Sequence, residues 1–137
     1  MKSQNKVVGF LLSDDLSKVT LIKRDGSYVA VGGPTLNGSE TPAEAVYRIT
    51  FETTGLEILR WVFVGRLRTL DKGQTDYFVH KGSRRLGAEL GGEPVEWVDV
   101  FDLPKLNVCP NLCWIVQLAR LKFMALPPEQ AGLFTSG

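Results

Sequence analysis

Cysteine, histidine, charge excess and long apolar runs are all scarce in this 137-residue sequence. Cys109 and Cys113 are its only cysteines, too few for a disulfide framework, and the C-x-x-x-C spacing is neither a redox pair nor by itself a zinc site. Buried, reduced thiols are the expectation. The single His80 stands in an apolar run with no partner histidine or cysteine beside it, which makes it a structural residue rather than a metal ligand. Sixteen basic residues against fifteen acidic ones leave a net charge of +1. Nothing global therefore calls for nucleic acid or an anionic membrane surface. No apolar run approaches the ~18 residues of a membrane span, and the amino-terminal MKSQNKVVGFLLSDD lacks the apolar segment and cleavage site of a secretory signal. A cytoplasmic location is expected. The length suits a single domain, placed here at residues 1–126, with PPEQAGLFTSG at 127–137 as a loose tail. Leu133 and Phe134 give that tail an apolar pair that could dock on the domain or on a protein partner.

What is present concentrates in one stretch, Gly32 to Leu56, GGPTLNGSETPAEAVYRITFETTGL. Thr41-Pro42-Ala43-Glu44 has the form of a capping box, in which the threonine hydroxyl and the glutamate carboxylate each bind the other residue's backbone amide. Pro42 suits the first helical position, where a missing N–H costs nothing. Thr54-Gly55-Leu56 supplies a glycine able to close the helix in the left-handed conformation. The pattern predicts a helix over 42–54. Ahead of it, Gly32-Gly33 allow close backbone approach, and the loop from Pro34 to Ser39 lies at a helix amino terminus, a place suited to phosphate. Positions 45, 46, 49, 52 and 53 share one side of the helix. Glu44, Arg48 and Glu52 are spaced four apart and can equally form a solvated charge ladder.

The remaining chain reads as strands and one more helix. Apolar runs at 7–12, 19–22 and 28–31 are predicted strands, with Asp25-Gly26 as a turn. Residues 61–68 and 76–80 are β-rich and predict a hairpin. Arg66 and Arg68 share a strand face and join Lys81, Arg84 and Arg85 in the densest basic patch. That patch lacks interleaved aromatics, so a solvated hairpin face is preferred to a nucleic-acid site. Residues 82–95 read as a loop and 96–100 as a strand. Asn111 is the expected cap of a helix reading LCWIVQLARLKFM.

Gly33, Glu40, Arg48, Glu52 and Gly55-Leu56 resemble the Nudix box, the loop–helix–loop signature of nucleoside-diphosphate-X hydrolases. Seven residues separate Glu40 from Arg48, as in that family, whereas the six between Gly33 and Glu40 are one more than the family spacing. The resemblance implies an α/β (α+β) fold: an α/β/α sandwich, a mixed sheet with the Nudix helix on one side and a carboxy-terminal helix on the other. It also implies a magnesium or manganese ion held by helix carboxylates, and here Ile49 and Thr53 stand where two of three are expected. Glu52 and Gly33 are the retained candidates, with Glu89, Glu93 or Glu96 as distal acids, and Glu40 and Arg48 complete the catalytic set. The segment Glu93-Pro94-Val95-Glu96-Trp97-Val98-Asp99 through Leu103-Pro104 to Trp114 resembles oxidised-purine nucleoside triphosphate hydrolases. By that likeness Gly32, Gly33, Val29, Cys109 and Asn111 would meet the nucleotide, although Val29 replaces an asparagine.

Three readings follow. A nucleotide-binding protein with lost or weakened hydrolysis stands first, with magnesium or manganese as the cofactor of any remaining activity and none otherwise. An active pyrophosphohydrolase using Glu52 plus distal carboxylates is the second, and a protein-interaction module the third. The ligand in the first two is a nucleotide or a nucleoside-diphosphate-linked small molecule, with no membrane involved.

Overall fold

A computed structural model describes residues 5–36, 39–69, 73–82 and 95–125. The chain runs β1 (Lys6–Leu12), β2 (Lys18–Arg24), β3 (Ser27–Val29), β4 (Val31–Pro34), α1 (Pro42–Thr54), β5 (Val62–Thr69), β6 (Gly73–Lys81), β7 (Val95–Asp99), a 3-10 turn (Val100–Lys105) and α2 (Pro110–Met124). The strands form one mixed sheet in the order β3-β2-β1-β6-β5, with β4 pairing β1 and β7 pairing β2. Among the described residues only β1 and β6 run parallel, so the centre of the sheet is a pairing that no local turn dictates.

The sheet separates two apolar layers, as the expected α/β/α sandwich requires. Val7, Ile22, Val31 and Phe78 pack against Ala45, Val46 and Ile49 of α1. Phe10, Leu12, Val19, Leu21, Tyr77 and Val79 point the other way, into Leu112, Ile115, Val116, Ala119 and Phe123 of α2. Alternate side chains of a strand face opposite sides, and β1 is apolar on both. That is why VVGFLL reads as an unbroken run instead of an alternating one. Fully burying each such side chain is worth about 1.5–3 kcal/mol. Gly9 sits on the α1 side, where an added methyl would lie 2.5 Å from Val46 Cγ2 and 3.0 Å from the Trp61 ring. The absent side chain lets the helix seat closely on β1.

The expected third strand is in fact two. It breaks at Ala30, so that Ser27–Val29 pairs with β2 while Val31–Pro34 crosses to β1. The Asp25-Gly26 turn has positive φ at both residues, 45° and 82°, the mirror-image turn that matches strand twist. The α2 helix begins earlier than expected: Cys109 is the N-cap, without a side-chain hydrogen bond, and Pro110 is at the first helical positions. Proline's fixed φ suits the first turn, which puts the cap on the residue before it and leaves Asn111 exposed inside the helix. Nor are the cysteines buried, because Cys109 is exposed and Cys113 half-buried, both as free thiols. His80 is buried, with Nδ1 2.9 Å from the Arg60 carbonyl oxygen and its ring edge-on to Trp61. Among the described residues, no helix is long and apolar enough to cross a membrane. Arg84, Arg85, Glu89, Glu93 and the tail 127–137 lie outside the described residues.

Candidate functional site

Helix α1 is held at both ends as its sequence dictates. Thr41 Oγ1 accepts from the Glu44 amide at 3.2 Å, and Glu44 Oε1 accepts from the Thr41 amide at 2.9 Å. Gly55 adopts φ 81° and donates its N–H to the Phe51 carbonyl at 2.8 Å. Because Glu44 is engaged in the cap, the charge ladder of Glu44, Arg48 and Glu52 does not form as a set. Arg48 turns to Glu40 instead, with Nε and Nη2 donating to its two carboxylate oxygens at 2.7 and 3.0 Å. Its Nη1 donates to Glu52 Oε1 at 2.9 Å, and Nη2 also reaches the Pro34 carbonyl at 3.2 Å. Glu40 Oε1 accepts from the Leu36 amide at 3.1 Å as well. One guanidinium thus ties the loop after β4 to the middle of α1, in the two-pronged geometry that makes Arg–carboxylate pairs strong.

Glu40 is the enclosed member, its side chain 9% exposed, whereas that of Glu52 is 55% exposed. The Arg48 hydrogen bonds hold the Glu40 carboxyl below the ordinary glutamate range, against the opposing push of burial. Those with Glu40 and then Glu52 raise Arg48 further above its already high value, so the guanidinium stays charged at any pH at which the protein is folded.

A divalent cation fits this donor set poorly. Ile49 is buried, and a methyl placed on Gly33 would lie 3.4 Å from Ile49 Cδ1, in ordinary contact. A hydrocarbon side chain, not a carboxylate, thus lies beside Gly33. Thr53 is half-buried, and Glu52 already gives an oxygen to Arg48. Glu96 pairs with Leu21, while its neighbour Val95 packs in the cluster beneath α1 and Trp97 packs against Leu11, Leu56 and Ile58. Pleat alternation sets Glu96 on the opposite face of the sheet, away from Glu52. Among the described residues no three His, Cys, Asp or Glu side chains converge as a metal site. Hard cations such as magnesium need several oxygens, mostly carboxylate or water.

On the far side of β4 lies a cavity of about 420 Å³ lined in part by Lys6, Tyr28, Val29, Gly32, Tyr77 and Cys109. Gly33, Thr75 and Leu112 also line it. Val29, Gly32, Gly33 and Cys109, distant in sequence, are thus brought to one place, while Asn111 is not among the lining residues. Two hydrogen bonds set Cys109 there: the Tyr28 amide donates to the Asn107 carbonyl at 2.8 Å, and Asn107 Nδ2 donates to Ser27 Oγ at 2.9 Å. Gly32 admits no side chain, since a methyl would come within 2.6 Å of the Val7 carbonyl oxygen. Burial, with a smaller contribution from Cys109, raises the Tyr77 phenol above its ordinary value. Lys6, Thr75 and Tyr77 escaped sequence reading. Period-two alternation puts Lys6 with Val8 and Thr75 with Tyr77, but nothing local says that β1 and β6 are neighbours.

Solved structures of similar shape decide the fold. A MutT of Aliivibrio salmonicida or Vibrio cholerae superposes with a TM-score of 0.69 at 18% identity, over 85% of this chain and 97% of its own. The NUDIX domain of Shewanella oneidensis NrtR, complexed with ADP ribose, gives 0.70 at 16% identity over 89% of each chain. The C. elegans Ap4A hydrolase gives 0.67 at 13% identity, over 90% of this chain and all of its own. This is the Nudix fold. No protein-family model matches the sequence, and no curated protein does. Glu40 on the loop ahead of α1 and Arg48 and Glu52 on the helix are turned toward one another. The basic hairpin face is likewise partly neutralised, with Arg66 Nε and Nη2 donating to the buried Asp76 at 2.7 and 3.3 Å.

Proposed function

We propose that this chain is a Nudix-fold nucleotide-binding protein in which an ion-pair clamp stands in place of the hydrolytic metal site. The observation that carries the reading is the position of Arg48, whose guanidinium takes both Glu40 oxygens and one of Glu52. Attack of water on a phosphoanhydride depends on metal ions to neutralise phosphate charge. With Ile49 and Thr53 in two of the three expected ligand positions, Glu52 is the one carboxylate of that set on the helix. The cavity beyond Gly32 and Gly33 supplies what binding needs, an apolar concavity with a few polar groups at defined places. Such a protein acts as a sensor or regulator of a nucleotide pool.

ADP-ribose, the molecule complexed with the NrtR domain, and diadenosine tetraphosphate, named for the nematode enzyme, head the panel of test ligands. Isothermal titration with that panel and with nucleoside di- and triphosphates, in EDTA and again in magnesium, is expected to give binding of similar strength in both. Phosphate or nucleotide release should stay at the level of the buffer. Magnesium-dependent turnover, lost in Glu52→Gln, would overturn the proposal in favour of an active pyrophosphohydrolase.

A further inference from the structure

We propose that the outer face of α2 docks an acidic amphipathic helix of a partner protein. This stands independently of the nucleotide-binding reading. The inner face of α2 is occupied, with Leu112, Ile115, Val116, Ala119 and Phe123 packed into the core. A surface helix ordinarily carries polar residues opposite such a stripe, but α2 sets a second apolar series there. Trp114, Leu121 and Met124 are each more than half exposed. Together with Gln117 they follow steps of three, four and three residues, the heptad spacing by which two helices mesh. Phe101 of the 3-10 turn, also more than half exposed, extends the patch, with the Arg120 guanidinium 5.0 Å from its ring centre. Single exposed apolar side chains are ordinary, whereas a series of them on one face marks an interaction surface. Tryptophan, phenylalanine and methionine are also types enriched in such contacts.

Charge chooses the occupant. From Pro110 to Met124 the helix has two cations, Arg120 and Lys122, on either side of Leu121 in sequence, and no acidic residue. Their hydrogen bonds go to neutral acceptors: Arg120 donates to the Leu16 carbonyl and the Gln117 amide oxygen, and Lys122 to the Phe63 carbonyl. Among the described residues neither forms an ion pair with a carboxylate. A second copy of this chain would bring two more cations and again no carboxylate from its own α2. An apolar stripe flanked by Asp or Glu brings the opposite charge to the same seam, which steers encounter and fixes register. The seam from Trp114 to Met124 is about 15 Å long, so a transient complex at the low end of interface sizes is expected.

The test titrates the full chain calorimetrically, at low salt, with two synthetic helical peptides. Both carry leucine at the heptad core positions; one has glutamate at the flanking positions and the other lysine, so like charges keep each peptide from pairing with itself. The glutamate peptide is expected to bind, and the lysine peptide at least about tenfold more weakly. Trp114→Ala combined with Leu121→Ala, both at exposed positions, should weaken the glutamate peptide at least about tenfold, with the melting temperature near that of the parent. No binding of the glutamate peptide, or equal binding of both peptides, overturns the proposal. Binding that survives the double substitution places the peptide elsewhere and overturns it too. A concentration-dependent dimer in sedimentation, lost in the double variant, would give the face to a second copy instead. Binding that appears only after residues 127–137 are removed would give it to the chain's own carboxy terminus, again against the proposal.

Discussion

The two flanks of β4 treat their polar groups in opposite ways. On the α1 side Glu40, Glu44, Arg48 and Glu52 all have partners inside the chain, and an isoleucine fills the space beside Gly33. On the α2 side an apolar cavity is rimmed by an ammonium that has no partner among the described residues. Satisfied charges hold structure and offer little to a ligand, whereas an unsatisfied donor beside an apolar hollow is available for recognition. The α1 side thus ties its polar groups into structure, and the cavity side leaves an ammonium open to solvent.

The largest expected effect comes from filling the hollow. Ala30→Phe, at a half-buried lining position between β3 and β4, should weaken nucleotide binding at least about tenfold by occupying space the ligand needs, with a fold unchanged by circular dichroism. Normal affinity in that variant would place the ligand elsewhere and break the contrast between the two sides. The clamp is tested through stability instead of binding. Glu40→Ala leaves the guanidinium without its enclosed partner and should cost about 1–3 kcal/mol in urea denaturation at pH 7, with nucleotide affinity unaltered. Its pH dependence follows from the direction of the shift. Because the folded Glu40 carboxyl lies below the ordinary 4.5, its contribution is present above that value and is lost as pH falls through the lower folded one. The gap between parent and variant should therefore close in acid; a gap that persists at pH 2 would assign the loss to packing. Glu52→Gln should matter least. Its exposed pair with Arg48 is worth at most ~0.5 kcal/mol, and a loss of several kcal/mol would show that both carboxylates hold the loop equally.

Much of the α1 stretch was legible before any coordinates. The capping box, Pro42 and Gly55 are local chemistry, readable from residues three or four apart, and they set the helix at 42–54 in sequence and structure alike. The α2 start was misread because Asn111 is the better capping residue by type, yet the fixed φ of Pro110 places the cap at Cys109. The break at Ala30 was also hidden, since a strand that changes partner midway still looks like one extended run.

From residue order alone came the domain class, the two helices, most of the strands and the shortage of carboxylates at positions 49 and 53. Each is fixed by neighbours along the chain or by side-chain type. Only the tertiary structure decided which partner Arg48 takes, that Glu96 faces away from Glu52, and that Lys6, Tyr77 and Cys109 line one hollow. Those outcomes depend on strand pairing between segments some seventy residues apart, Lys6 beside Thr75 above all, and on the pleat that assigns each side chain to a face. No short-range pattern encodes either.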